Sequence, residues 1–82
     1  MVTVLDLPIR YKVLDKTLIL RGTINGNNAH YVGWIRKENS WIYYDGITTP
    51  VTYEEIAMNN KKYIKEKHLQ HYILCIIYEV VD

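Results

Sequence analysis

β-Branched and aromatic residues gather in short runs along this chain, separated by polar stretches, which is the pattern of a sheet-rich domain. The run at residues 2–7 stops at Pro8, which has no amide to donate, and reads as an edge strand. Residues 11–14 extend it after a bend, with Asp15-Lys16 as a turn. Residues 17–24 form the next strand, and Asn25-Gly26-Asn27-Asn28 is the strongest reversal signal, because Asn and Gly tolerate the positive φ of tight hairpins. The chain then returns through residues 29–36, turns at Lys37-Glu38-Asn39-Ser40 and enters a strand at residues 41–44.

Beyond Asp45-Gly46, residues 47–51 read as extended, and then the period changes. Thr52-Tyr53-Glu54-Glu55 has the spacing of a capping box, with Val51 and Ile56 at the staple positions, and this predicts a helix starting near Tyr53. Either Asn59-Asn60 ends it, or a second helical stretch occupies residues 61–70, where Tyr63, Ile64 and Lys67 share a side. Residues 72–81 are apolar on both faces for most of their length, as expected of a strand in the middle of a sheet. The predicted fold is α+β: a mostly antiparallel sheet of about five strands, with one helical excursion before the last strand.

Side chains alternate across a strand, so His30, Val32 and Trp34 share one face of theirs, and Trp41, Tyr43 and Asp45 share one of theirs. A two- or four-residue loop pairs even positions of the first strand with odd positions of the second, which points His30 and Asp45 the same way. A three- or five-residue loop reverses one strand and separates them. An imidazole beside a carboxylate is two thirds of a hydrolytic triad.

Composition narrows the classes. The chain has 82 residues, 49% of them hydrophobic and 23% charged, which suits one globular domain with no internal boundary. A formal net charge of +1 argues against a dedicated nucleic-acid binder. Lys61, Lys62, Lys65 and Lys67 cluster, but Glu66 interrupts them, and they read as a solvated helix face. Trp34, Trp41, Tyr43 and Tyr44 read as core and cross-strand packing in preference to a base-stacking platform. The single cysteine, Cys75, excludes an internal disulfide and, lying in an apolar run, is expected in the core. His30, His68, His71 and Cys75 lack compact ligand spacing, so neither metal nor cofactor is expected. With no leader and no run approaching a membrane span, the expected location is intracellular, cytoplasmic or nuclear.

The order of elements resembles the C-terminal half of the catalytic domain of the ubiquitin-specific proteases, cysteine deubiquitinases of papain-like fold. The matching text is Ala29-His30-Tyr31-Val32-Gly33-Trp34, then Trp41-Ile42-Tyr43-Tyr44-Asp45, then Val51-Thr52-Tyr53-Glu54-Glu55-Ile56, then Tyr72-Ile73-Leu74-Cys75-Ile76-Ile77-Tyr78-Glu79. It covers roughly residues 16–79. Ala29 stands where the family has glycine, and Gly46 where a second aspartate is common. The family's N-terminal lobe, with its Asn-x-Gly-Asn-Thr-Cys nucleophile motif and oxyanion-hole amide, has no counterpart here.

The resemblance implies His30 as general base and Asp45 as the group that orients it, with ubiquitin or a ubiquitin-like protein as partner and a further chain or segment supplying the cysteine. It implies no activity for this chain alone. The alternative is a non-catalytic interaction domain on the same scaffold, binding a partner through a sheet edge or aromatic face.

Overall fold

The computed structural model describes residues 1–46 and 52–81. The predicted extension at residues 47–51, and the staple position Val51, lie outside them. Six strands and one helix follow a short 3-10 turn at Val4–Asp6: β1 (Arg10–Val13), β2 (Lys16–Gly26), β3 (Tyr31–Arg36), β4 (Ser40–Asp45), β5 (Thr52–Ala57), α1 (Lys61–His68) and β6 (Tyr72–Val80). All observed strand pairings are antiparallel. The fold is therefore α+β, with one helix before the last strand.

The eleven-residue β2 is the axis of the sheet. One edge pairs with β1 over its first half and β3 over its second; the other pairs with β6 from Leu18 to Gly26. β4 and β5 continue outward from β3. Opposite Gly22 the sheet closes tightly: a Cβ built there would stand 2.2 Å from the Trp34 carbonyl oxygen, so only glycine fits the approach.

The core lies on one face. Leu20, Val32, Trp34, Trp41, Tyr43 and Ile56 meet Val4 and Ile64, which come from the N-terminal turn and from α1. Trp34 contacts both Trp41 and Tyr43 edge-on, at 6.4 and 5.0 Å between ring centroids, the favoured geometry for aromatic pairs.

Four expectations are corrected. Residues 2–7 contain the 3-10 turn instead of an edge strand: the Thr3 hydroxyl accepts from the Leu5 amide, and the Asp6 carboxylate accepts from the Thr3 amide at 2.8 Å. The capping box thus stands at Thr3, and Thr52 opens β5, paired across from Asp45. The helix is the second stretch, starting at Lys61. β6, expected in mid-sheet, pairs among the described residues with β2 alone and leaves Tyr72, Leu74, Ile76, Ile77 and Val80 exposed. Cys75, expected in the core, is exposed with them.

Two turns fall one or two residues from their predicted places. β2 continues through Asn25-Gly26, and the reversal is at residues 27–30, closed by the Asn27 amide donating to the His30 carbonyl at 3.0 Å. The β1–β2 hairpin turns at Leu14-Asp15, with Leu14 at φ 57°.

Candidate functional site

The β3–β4 hairpin closes on the two-residue loop Glu38-Asn39, with the Lys37 amide donating to the Ser40 carbonyl at 2.9 Å. That length sets even positions against odd: Val32 faces Asp45, Trp34 faces Tyr43, and Arg36 faces Trp41. His30 enters β3 and Asp45 ends β4, on the helix-covered face. His30 Nε2 stands 2.7 Å from Asp45 Oδ1, with the two side chains 21% and 30% exposed.

The loop before His30 is pinned twice. Asn27 Oδ1 accepts from the Ala29 amide at 2.8 Å, and Asn27 Nδ2 donates to the Gln70 carbonyl at 3.3 Å. With Nε2–H donating to the carboxylate, Nδ1 carries the lone pair, and among the described residues nothing else hydrogen-bonds it. A proton donor brought to that nitrogen would meet an oriented base.

His71, at the mouth of β6, packs beside the dyad: its ring lies 5.3 Å from that of His30, tilted by 49°. It is buried, and Nδ1 has no partner among the described residues. Burial, reinforced by the neighbouring His30 and opposed by Asp45, holds its pKa below the ordinary histidine value. His71 therefore forms a neutral wall to the site.

His68 is organised differently. Its ring lies flat on Trp34, 4.5 Å between centroids and 8° between planes. Nε2 accepts the Val4 amide at 3.3 Å, which places the proton of the neutral ring on Nδ1, and the Asn25 side-chain nitrogen lies 3.2 Å from Nδ1. Asn25 is fixed in turn by the Thr23 hydroxyl, 2.7 Å away, and by the His71 carbonyl, 3.3 Å away. Burial pushes the His68 pKa down to about 4, against a small opposing pull from Asp6. A neutral ring at this point ties the N-terminal turn, β2 and α1 together.

A third cluster borders Asp45. The Tyr63 hydroxyl donates to Glu54 at 2.5 Å, Lys67 Nζ pairs with Glu54 at 3.1 Å, and the ammonium lies 4.7 Å from the Tyr43 ring centroid. The Tyr63 hydroxyl bond, aided by Lys67, holds the Glu54 carboxyl below its usual range. Tyr43, Asp45, Thr52, Tyr53, Glu54 and Lys67 line an open cleft of about 190 Å³. A larger depression of about 500 Å³ lies at the far end of the hairpin, around Lys37 and Ser40, away from the dyad.

The structure thus brings His30 and Asp45 together and keeps Cys75 apart. Cys75 pairs with Ile24, whose side chain points away from the face that carries Trp34 and the dyad. Sequence reasoning missed His71 and the His68–Asn25–Thr23 network, which join residues 43 to 46 positions apart. The one local signal was the four-residue spacing of Ile64 and His68, which puts both on the inner side of α1.

Among the described residues no His, Cys, Asp or Glu group is arranged to hold a metal ion, and no helix is long and apolar enough to cross a membrane. Comparison with protein-family models, with characterised proteins and with solved structures finds no match to this chain.

Proposed function

We propose that this chain is the base-bearing half of a thiol-dependent hydrolase resembling the ubiquitin-specific proteases, acting on ubiquitin (iso)peptide bonds when a cysteine-bearing lobe is supplied. The observation that carries the reading is the 2.7 Å contact between His30 Nε2 and Asp45 Oδ1, which leaves Nδ1 open on a pinned loop. The order of the four sequence segments adds the substrate class.

In this reading His30 Nδ1 takes the proton of an incoming thiol. The thiolate attacks the scissile carbonyl, and the imidazolium then returns the proton to the leaving amine. Asp45 keeps Nε2 protonated and stabilises the imidazolium while it exists. The thiol comes from outside this chain, because Cys75 sits on the opposite face. Water then releases the acyl group, with the same imidazole acting as base.

One observation favours the alternative, a non-catalytic interaction domain: the face away from α1 is apolar and open, with Ile24, Ile35 and Ile77 exposed. The deciding experiment offers a ubiquitin–fluorophore conjugate and a thiol-reactive ubiquitin probe to the chain alone and with a companion carrying the Asn-x-Gly-Asn-Thr-Cys segment. The proposal expects neither turnover nor Cys75 labelling alone, and His30-dependent turnover with the companion. Probe capture abolished by Cys75→Ser, or a folded, associated pair that stays inert, contradicts it.

A further inference from the structure

Antiparallel sheets with one face on a core usually turn polar residues to the other. Here the second face carries Ile24 from β2, Tyr31 and Ile35 from β3, Tyr53 from β5, and Cys75 and Ile77 from β6, all exposed. The strand registers set them side by side: Ile24 faces Cys75, Gly22 lies between Ile35 and Ile77, and Gly33 faces Tyr44, which faces Tyr53. Gly22 and Gly33 floor a depression of about 320 Å³ at the centre, walled by the isoleucines.

Taken at their exposed fractions, these side chains present on the order of 600 Å², at the upper end of the largest patch on a typical monomer, ~300–600 Å². With Ile42, Tyr44 and the intervening backbone, the face approaches the ~800 Å² that each partner gives a standard interface. Two ion pairs border it, Arg21 with Glu79 at 2.6 Å and Lys37 with Glu55 at 3.2 Å, and both are satisfied within the chain. Neither pair leaves a charge unmatched to select an acidic or basic partner, and each brings no net charge to a contact between two copies. An apolar centre inside a paired polar rim is the anatomy of a protein interface.

We propose that this face is a self-association surface, on which a second copy of the chain packs sheet to sheet about a two-fold axis. Sheets packed this way lie ~10 Å apart with their side chains interdigitated. An isologous contact sets the same apolar patch against itself. The two His30–Asp45 sites stay on the outer faces of the pair, so the inference is independent of the proposed hydrolysis and fails separately from it.

The test is sedimentation velocity of the 82-residue chain across a micromolar range, with Ile24→Lys and Ile35→Lys as variants and His30→Ala as control. Both isoleucines are already exposed in one copy, at 43% and 49%, so folding tolerates the change and circular dichroism checks it. A dimer is expected for the parent and for His30→Ala, with its dissociation constant raised at least ~100-fold by either lysine, since each buries an unpaired charge twice in a symmetric interface. Alkylation of Cys75, the sole thiol, should slow as parent concentration rises and stay fast in Ile24→Lys. A parent that is monomeric throughout, a dimer indifferent to both lysines, or Cys75 reactivity independent of concentration overturns the proposal. So does a Cys75 shielded only by the cysteine-bearing companion.

Discussion

His68 and His30 lie over the same face of one sheet, yet their rings are held in opposite ways. His68 is 1% exposed, stacked on Trp34, bonded through Nε2 to the N-terminal turn and enclosed at Nδ1 by the Asn25 side chain of β2. His30 is bonded at one nitrogen, to Asp45, and is partly open to solvent. A histidine whose accepting nitrogen is occupied and whose other nitrogen is enclosed contributes to the fold and has no open lone pair for proton transfer. One fixed at a single nitrogen is oriented and still available, which is the condition for a general base.

The two histidines differ most in what they contribute to stability. Trp34→Ala removes the ring that carries His68, Trp41 and Tyr43 and should cost about 3–5 kcal/mol by denaturant unfolding. His68→Ala should cost about 2–3 kcal/mol, since it strands the Val4 amide and empties the space against Trp34. His30→Ala, at a half-open site, should stay within about 1 kcal/mol. Equal losses at the two histidines would erase the distinction.

Stability also depends on pH through His68. The folded pKa of His68 lies at about 4, below its unfolded value of 6.5, so folding favours the neutral ring. The associated stability is fully present above pH 6.5 and is lost as pH falls through the folded pKa, up to about 3 kcal/mol over that window. His71 is lowered in the same direction and adds to the slope. Unfolding midpoints of His68→Phe between pH 7 and 4 should show a flatter loss than the parent; an unchanged slope would place the acid sensitivity elsewhere.

Two smaller effects test the supports of His68 and the hairpin next to it. Thr3→Ala should cost about 1 kcal/mol by removing the cap of the turn whose Val4 amide His68 accepts, whereas Thr52→Ala, on β5, loses no helix cap. Leu14→Gly should stabilise by about 0.5–1 kcal/mol, because Leu14 holds φ 57° while 96% exposed. Thermal melts of both variants read the sign directly.

What was legible in the sequence followed local rules. Strict alternation over residues 30–45 reduced the shared face to one unknown, the loop length, and the two-residue loop that forms leaves one register. The α+β class followed from the strand runs and the helical spacing near Ile64. Where two local rules competed, long-range pairing decided. Thr52-Tyr53-Glu54-Glu55 matches a capping box, but Glu54 turns inward to Tyr63 and Lys67 and Ile56 enters the core, a strand's alternation with a satisfied acid on the buried side. Thr3-Val4-Leu5-Asp6 has nearly the same spacing and does cap a turn. Leu14 concealed its turn because leucine rarely takes a left-handed φ. β6 read as central because being apolar on both faces implies cover on both, and among the described residues exposed side chains remain on both, Ile76 on the core side and Cys75 and Ile77 on the other.

Asp45 holds His30 in one tautomer with Nδ1 open. Two-bond proton–nitrogen correlation of the histidine rings at pH 8 measures this directly. His30 is expected as the Nε2–H tautomer with an unprotonated Nδ1, relaxing toward a mixture in Asp45→Ala while the His68 signals stay in place. An Nδ1–H tautomer at His30, or a His30 signal unchanged by Asp45→Ala, would contradict it.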